Sequence, residues 1–538
     1  MEDRKQEQLI PARQFIRQCK KAGGRLKVAE SAGTELTGTR LLAAALLFRK
    51  LLEKKLGADT RMIGLLLPPS VGGAVANAAV TLLGRCAVNL NYTLSSDVVD
   101  FCIDECGITH VLTSRKFQQL KPFNIKAEYI YLEDLKEEAT SAEKARAFAC
   151  AKFEPASVLE RRLGLTTIGM DDLITVIFTS GSTGQPKGVM LSHGNILSNL
   201  MAVDQLFNLN EKDVLIGVLP FFHSFGFTIT MWLPFCVEPA GVYHYNPLDG
   251  RTVGKISNRY NGTILAATPT FLRTYLKRCK PEQFEHMNLV IAGAEKLPND
   301  LADAFKEKFG IEITEGYGTT ELSPAAAFNV PATRLGPDAE AATKRGTVGR
   351  VMPGATAKVI DPDTGADLDV NDEGLLRIKG PNVMVGYLNH EQKTAESIVD
   401  GWYDTGDMAM IDADGFISIT GRMSRFSKIG GEMVPHIRIE EELARIVDDP
   451  DDAEPHILIA VTSVPDPKKG ERLIVLHKKF KKTVDEALDE LGECGLPNIW
   501  MPASNSFLEV EEIPLLGTGK LDLKGVKEAA MAHFGPEE

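Results

Sequence analysis

An α/β fold is expected, with a large, mostly parallel body, a small β region and a short C-terminal α/β segment. Three observations point there. Short apolar runs alternate with helical patterns through most of the chain, the texture changes near Thr347 to brief alternating runs with turn signals, and a new α/β rhythm begins after Gly421. At 538 residues the chain exceeds the roughly 100 to 200 residues of one ordinary domain, so two or more cores are expected.

The elements follow in order. "GTRLLAAALLFRKLLEKKLG" repeats apolar residues at helical spacing, and "MIGLLL" leads through Pro68 and Pro69 into an Ala-rich helical stretch. The strand-like runs "AEYIYL", "DLITVIFTS", "DVLIGVLP", "GTILAATP" and "HMNLVIAGA" then alternate with helical patterns such as "NDLADAFKEKFG". Residues Pro331 to Lys344 read as a surface loop. "GTVGRVMPGATAKVIDPDTG" and "EGLLRIKG", with a turn at Asp363 to Gly365, read as a small β subdomain over about 345–422. The division expected is a large domain over 1–422 and a small one over 423–538.

Composition narrows the partners. Hydrophobic residues make up 44% and charged residues 25%, as in globular domains. Sixty basic against 73 acidic residues give a net charge of -13, which disfavours nucleic acid and anionic membranes unless basic groups are locally concentrated. Small molecules or proteins are the expected partners. Eight cysteines lie scattered without a C-x-x-C pair, pointing away from zinc and disulfide frameworks and towards reduced thiols. "MEDRKQEQ" lacks an apolar signal core and no apolar run is long enough to span a bilayer, so a cytoplasmic protein is expected, with peripheral contact at the inner face of the membrane left open.

One stretch asks for an anion. "FTSGSTGQPKGVMLSHGNIL" gathers Thr179, Ser180, Ser182 and Thr183 with Gly181, Gly184 and Gly188 around Lys187, after a strand-like run. Hydroxyls, backbone N–H groups and an ammonium form a nest for phosphate. A Walker A loop is excluded, because Gly188 rather than Ser or Thr follows the lysine and supplies no magnesium-binding hydroxyl.

Further stretches follow in a fixed order: "PFFHSFG" (220–226), "EGYGTTE" (315–321), "YDTGD" (403–407), "GRMSRFSKIGGEMVP" (421–435) and "PLLGTGKLDL" (514–523). Together they resemble the adenylate-forming superfamily of acyl-coenzyme A synthetases, peptide-synthetase adenylation domains and luciferases, along nearly the whole chain. "VNLNYT", "RFSKIGGEMV", "GLPNIWMP" and "IPLLGTGKLDLKGV" further resemble the synthetase half of bacterial 2-acylglycerophosphoethanolamine acyltransferase/acyl-acyl carrier protein synthetases. The implied fold is a large body of two α/β subdomains and one β subdomain, with a small mobile C-terminal α+β domain.

The resemblance implies ATP and Mg2+ as cofactors, a fatty acid as substrate, and coenzyme A or the phosphopantetheine of acyl carrier protein as acceptor. Thr179, Ser180, Gly181, Ser182, Thr183, Gly184 and Lys187 would hold the β and γ phosphates, Thr320 the α phosphate and Glu321 the metal. Gly293, Ala294 and Glu295, with Gly316, Tyr317, Gly318 and Thr319, would line the nucleotide site, Tyr317 stacking on adenine. Asp407 and Arg422 would bind the ribose. Lys520 would be the catalytic lysine, Ser424 the hinge, and Lys428, Gly430 and Gly431 the thiol passage.

His223 stands where peptide-synthetase adenylation domains place an aspartate for the substrate ammonium, which disfavours an amino acid. His223, Phe222 and Phe227 would line an acyl pocket beside the carboxylate, although for Phe222, unlike His223 and Phe227, aromatic core packing is an equal explanation. "KKGERLIVLHKKFKK" (468–482) holds seven basic residues against Glu471; it reads either as a dock for an acidic acyl carrier protein or as a strand with a solvated end. An acyl- or aryl-coenzyme A ligase and a catalytically silent acyl or nucleotide sensor stay open as alternatives.

Overall fold

The computed structural model describes residues 9–179, 185–335, 342–430, 432–447, 457–515 and 521–535. Among them the strands form four sheets. One has seven strands, ordered Gly386–Tyr387, Lys187–Ser192, Leu173–Thr179, Cys86–Asn89, Met62–Leu65, His110–Thr113 and Glu128–Tyr131. The last five of these are mutually parallel. Their apolar runs are continuous rather than alternating because both faces are covered, by helices such as Gly38–Lys55 and Val71–Leu82 on one side.

A nine-stranded sheet carries six parallel strands at its centre, running Ile313–Gly318, Leu289–Ala292, Ile264–Ala267, Val214–Gly217, Ala240–Tyr243 and Leu26–Glu30. Antiparallel strands close both ends, Ala325–Phe328 and then Arg350–Val351 at one and Glu35–Thr37 at the other. Loops at the carboxyl ends of parallel strands are where such sheets bind ligands. The stretches that resemble family motifs at residues 179, 293–295 and 319–321 all begin there.

A third, antiparallel sheet joins Thr356–Ile360, Gly374–Lys379, Trp402–Ile411 and Ile398–Val399, with Ile417–Arg422 paired to Trp402–Ile411. The fourth orders Glu432–Pro435, Phe426–Ile429, Gly470–His477 and Ile459–Asp466, and adds Phe507–Glu509 beside Gly470–His477. Within Gly470–His477, Leu473 and Val475 pack with Ile439 and Leu443, while Ile474 and Leu476 pack with Val526 and Ala530. It is therefore a central strand, and its four consecutive apolar residues reflect two covered faces.

Two features depart from the sequence reading. The helix Pro11–Ala22 and the strand Leu26–Glu30 precede the first element expected, near Leu41. Lys27 in that strand is 1% exposed and donates to the carbonyls of Val237, Glu238 and Pro239 at 2.7, 3.2 and 3.0 Å, so a charge that looks solvated is structural. The stretch read as a surface loop starts from a buried anchor: Arg334 makes a two-pronged ion pair with Asp213 at 2.9 and 2.8 Å. Its residues 336–341 lie outside the described residues.

Asp213 also accepts from Thr263 at 2.8 Å and from the Asn210 backbone at 3.0 Å, so this carboxylate organises three segments. Removing one partner of a buried pair leaves an uncompensated charge, a cost of about 3–5 kcal/mol. Asp213→Ala is expected to lower the urea midpoint of the body clearly, and Asp213→Leu with Arg334→Met to recover part of that loss. An unchanged midpoint in Asp213→Ala would show that the anchor is not stabilising.

Candidate active site

The strand Ile313–Gly318 delivers the centre of the site. At its end Gly318 passes so close to the next strand that a Cβ there would lie 1.9 Å from the Pro324 carbonyl oxygen, which fixes glycine at this position. The chain then turns, presenting Thr320 and Glu321 in a short 3-10 turn, Thr320–Leu322. The Tyr387 hydroxyl donates to Glu321 Oε1 at 2.8 Å. Tyr387 belongs to the strand Gly386–Tyr387, whose partner is Lys187–Ser192 in the seven-stranded sheet. Burial and the adjacent Glu321 carboxylate push the Tyr387 phenol up from its ordinary pKa, so it stays a donor.

Lys187 stands opposite Thr179 in the antiparallel pair that flanks the phosphate-loop stretch. Its ammonium lies 5.9 Å from the Tyr387 ring centroid. Burial, then a neighbouring Lys393, lowers its pKa to about 8, against the attraction of Glu321. Glu321, Lys187 and Tyr387 thus lie side by side. A lone carboxylate of this kind fits Mg2+, which takes most of its oxygens from substrate phosphates and water. Among the described residues no cluster of three or more His, Cys, Asp or Glu offers an all-protein metal cage.

Asp407 forms the second focus. It lies in Trp402–Ile411 and is 3% exposed, yet both its oxygens are engaged: Oδ2 accepts from the Tyr317 hydroxyl at 2.5 Å and Oδ1 from Arg422 Nε at 2.8 Å. Arg422 is its antiparallel register partner. Burial raises the carboxyl's pKa, while Arg422 and Tyr317 pull it back. An ionised carboxylate has about four lone-pair sites, so two such bonds leave roughly one acceptor site on each oxygen. That suits a pair of neighbouring hydroxyls.

The third wall is the turn of "PFFHSFG". Ser224 Oγ and Thr320 Oγ1 are 3.2 Å apart, tying this turn to the Glu321 turn. His223 is exposed beside Phe222, ring centroids 4.5 Å apart. Phe222 is buried edge-on against Tyr92, and Phe227 is buried against Trp232. These two phenylalanines therefore stand in packed aromatic walls behind His223. The chain continues as a π-helix, Gly226–Trp232, a rare form frequent at functional sites and without a signal in the sequence reading.

Gly293, Ala294 and Glu295 follow the strand Leu289–Ala292. A Cβ on Gly293 would meet the Phe225 ring at 3.1 Å, so this turn packs directly on the His223 turn. Ala294 has φ +68°, a left-handed conformation unusual for a residue with a Cβ and held in place by its surroundings. Glu295 accepts from the Thr270 backbone and hydroxyl at 3.2 and 2.7 Å, which positions the turn against the helix Pro269–Arg278. Gly316 sits against the Phe328 ring.

Lys428, in Phe426–Ile429, pairs with Asp363 at 2.8 Å, and Gly430 N donates to the Lys469 carbonyl at 2.8 Å with φ +60°. Ser424 is exposed in the short turn Met423–Arg425, immediately after Arg422. Ser180, Gly181, Ser182, Thr183, Gly184, Gly431 and Lys520 lie outside the described residues. Three residues near the centre escaped the sequence reading: Tyr387, Lys393, and Tyr403, whose phenol is raised by burial and then by Glu321. Tyr403 opens the quoted "YDTGD", and "GYLNHEQKT" offers a Gly-Tyr step before a helix, so both signals were present in the chain.

The model of the AMP-binding enzyme family matches residues 15–388. An acyl-CoA ligase, sidI, of Aspergillus fumigatus is 36% identical over 370 residues, 65% of this chain and 60% of that protein. A long-chain-fatty-acid–CoA ligase of Bacillus subtilis is 30% identical over 361 residues, again 65% and 60%. The chain thus spans about three fifths of the length of these curated relatives. Among solved structures, ATP-bound MatB from Rhodopseudomonas palustris superposes with a TM-score of 0.78 at 25% identity, covering 98% of this chain and 100% of that one. A family match over most of the sequence and a shared fold over nearly all of it lead to one conclusion: this chain belongs to the AMP-binding enzymes of the adenylate-forming superfamily.

Proposed function

We propose that the protein is an ATP- and Mg2+-dependent ligase that activates a fatty acid as acyl-AMP and transfers the acyl group to a pantetheine thiol. The observation that carries this reading is the joining of two foci by one strand and turn: Tyr317 holds Asp407, and four residues on Glu321 is held by Tyr387 beside Lys187. A diol acceptor and a phosphate-and-metal wall joined by one strand and its turn suit one nucleotide. Relatives named acyl-CoA ligases support the reaction class.

In the first step a carboxylate oxygen attacks the α phosphorus, the bond from that phosphorus to the bridging oxygen breaks, and pyrophosphate leaves. Lys187, Thr179, Ser180, Ser182 and Thr183 would hold the departing phosphates, and Thr320 the α phosphate, stabilising charge that grows as the bond breaks. Mg2+ held by Glu321 would neutralise phosphate charge. Asp407 and Arg422 would fix the ribose. Lys520 would meet the oxygens linking carboxylate and phosphate. In the second step the thiol gives up its proton, sulfur attacks the acyl carbon, and AMP departs.

Rotation of residues 423–538 about Ser424 would exchange Lys520 for the passage at Lys428, Gly430 and Gly431. His223 at the mouth favours an uncharged acyl chain over an amino acid. The acceptor is coenzyme A, as the relatives' names suggest, or acyl carrier protein, as the "GLPNIWMP" and "IPLLGTGKLDLKGV" resemblance suggests. For the latter, Lys478, Lys479, Lys481 and Lys482 would dock the carrier, although Lys482 is already paired with Glu490 at 2.7 Å.

Three tests follow. Asp407→Ala should raise the apparent KM for ATP at least about tenfold, with Tyr317→Phe milder, because a bond to a charged group is worth about 1.5–3 kcal/mol; an unchanged KM would remove the ribose role. Lys520→Ala should abolish adenylation while converting supplied acyl-adenylate to thioester, and equal loss of both halves would contradict the two-position mechanism. The central assay offers a long-chain acid, ATP and Mg2+ with coenzyme A or acyl carrier protein separately. Thioester on either supports the ligase; carrier acylation lost on reversing the four lysines to glutamate identifies the carrier as acceptor, and no thioester on either acceptor overturns the reading.

A further inference from the structure

The cation beside Glu321 has a companion. Lys393, partly buried on the helix Glu391–Ser397, lies beside Lys187, and its charge is one of the influences that lower that lysine's pKa. The backbone enforces the meeting. Tyr387 pairs with Val189, Leu388 N donates to the Gly188 carbonyl at 2.8 Å, and Tyr387 N donates to Thr394 Oγ1 at 2.9 Å, which folds the helix back onto the start of the lysine strand.

Among the described residues neither lysine makes an ion pair with a carboxylate. Among the described residues the attractive charge named for Lys187 is Glu321, which is itself engaged by Tyr387. Two like charges side by side, partly withdrawn from water, repel; a ligand carrying several negative charges relieves that repulsion and gains a bond to each ammonium. A single exposed lysine would carry no such argument. The pairing does, because surface lysines ordinarily spread apart or find carboxylates.

We propose that Lys393 is a second cation of a polyphosphate seat and grips, with Lys187, the pyrophosphate end of the nucleotide. This rests on the reading of ATP as substrate, and is tested apart from it by direct binding of inorganic pyrophosphate at fixed Mg2+ in a calorimeter. Lys393→Met should weaken binding about tenfold and Lys393→Arg less than about threefold, since charge rather than shape is required. In acid-dependent ATP–pyrophosphate exchange, Lys393→Met should raise the KM for pyrophosphate and leave that for the acid unchanged. Thermal melts of both variants and of Lys393→Gln establish that the fold is intact. Wild-type affinity in a folded Lys393→Met or Lys393→Gln would overturn the proposal, as would equal weakening by Met and Arg. Pyrophosphate binding that depends on Lys393 in a protein that makes no AMP from any acid would support the seat and sink the ligase reading.

Discussion

The site depends on two tyrosine–carboxylate hydrogen bonds, Tyr317 to Asp407 at 2.5 Å and Tyr387 to Glu321 at 2.8 Å. Tyr317 and Glu321 ride on one strand and its following turn in the nine-stranded sheet. Asp407 belongs to the antiparallel β sheet and Tyr387 to the seven-stranded sheet. Three sheets therefore meet at two phenolic hydroxyls. Burying Asp407 is costly unless its charge is met, and Tyr317 and Arg422 meet it. The same bonds that make burial tolerable aim its remaining acceptor sites.

Arg422 gives this arrangement a mechanical side. It ends the strand Ile417–Arg422, pairs with Asp407, and is followed at once by the turn holding Ser424. The last residue anchored to Asp407 is thus next to the proposed pivot. Beyond it, Arg425 pairs with Glu440, and Lys296 of the body meets Glu441 at 2.7 Å. The Lys296 and Lys428 pairs across this boundary are largely exposed, and such pairs contribute about 0–1 kcal/mol each. Contacts of that size hold an orientation without forbidding another.

Much of the fold was legible because buried parallel strands write themselves as unbroken apolar runs, as in "DLITVIFTS" and "HMNLVIAGA". The first strand was not, because Lys27 interrupts "LKVAE" and its burial depends on carbonyls 210 residues away. Arg334 misleads in the same way. At the site, Asp407, Glu321 and Tyr317 were readable from local motifs, whereas Lys393 and Tyr387 depend on a strand pairing between segments nearly 200 residues apart, which spacing does not announce. Phe222 and Phe227 illustrate the converse: their motif suggested a pocket lining, and the packing places them in aromatic walls behind His223.

The account stands or falls on which bond of ATP breaks. With 18O in both carboxylate oxygens of a long-chain acid, attack on the α phosphorus followed by thiol transfer leaves one label in the phosphate of AMP for each thioester formed. Mass spectrometry of the nucleotide products reads this directly. Singly labelled AMP, formed only in the presence of the acid, is the result predicted; ADP with label in inorganic phosphate, or nucleotide turnover that ignores the acid, would contradict it.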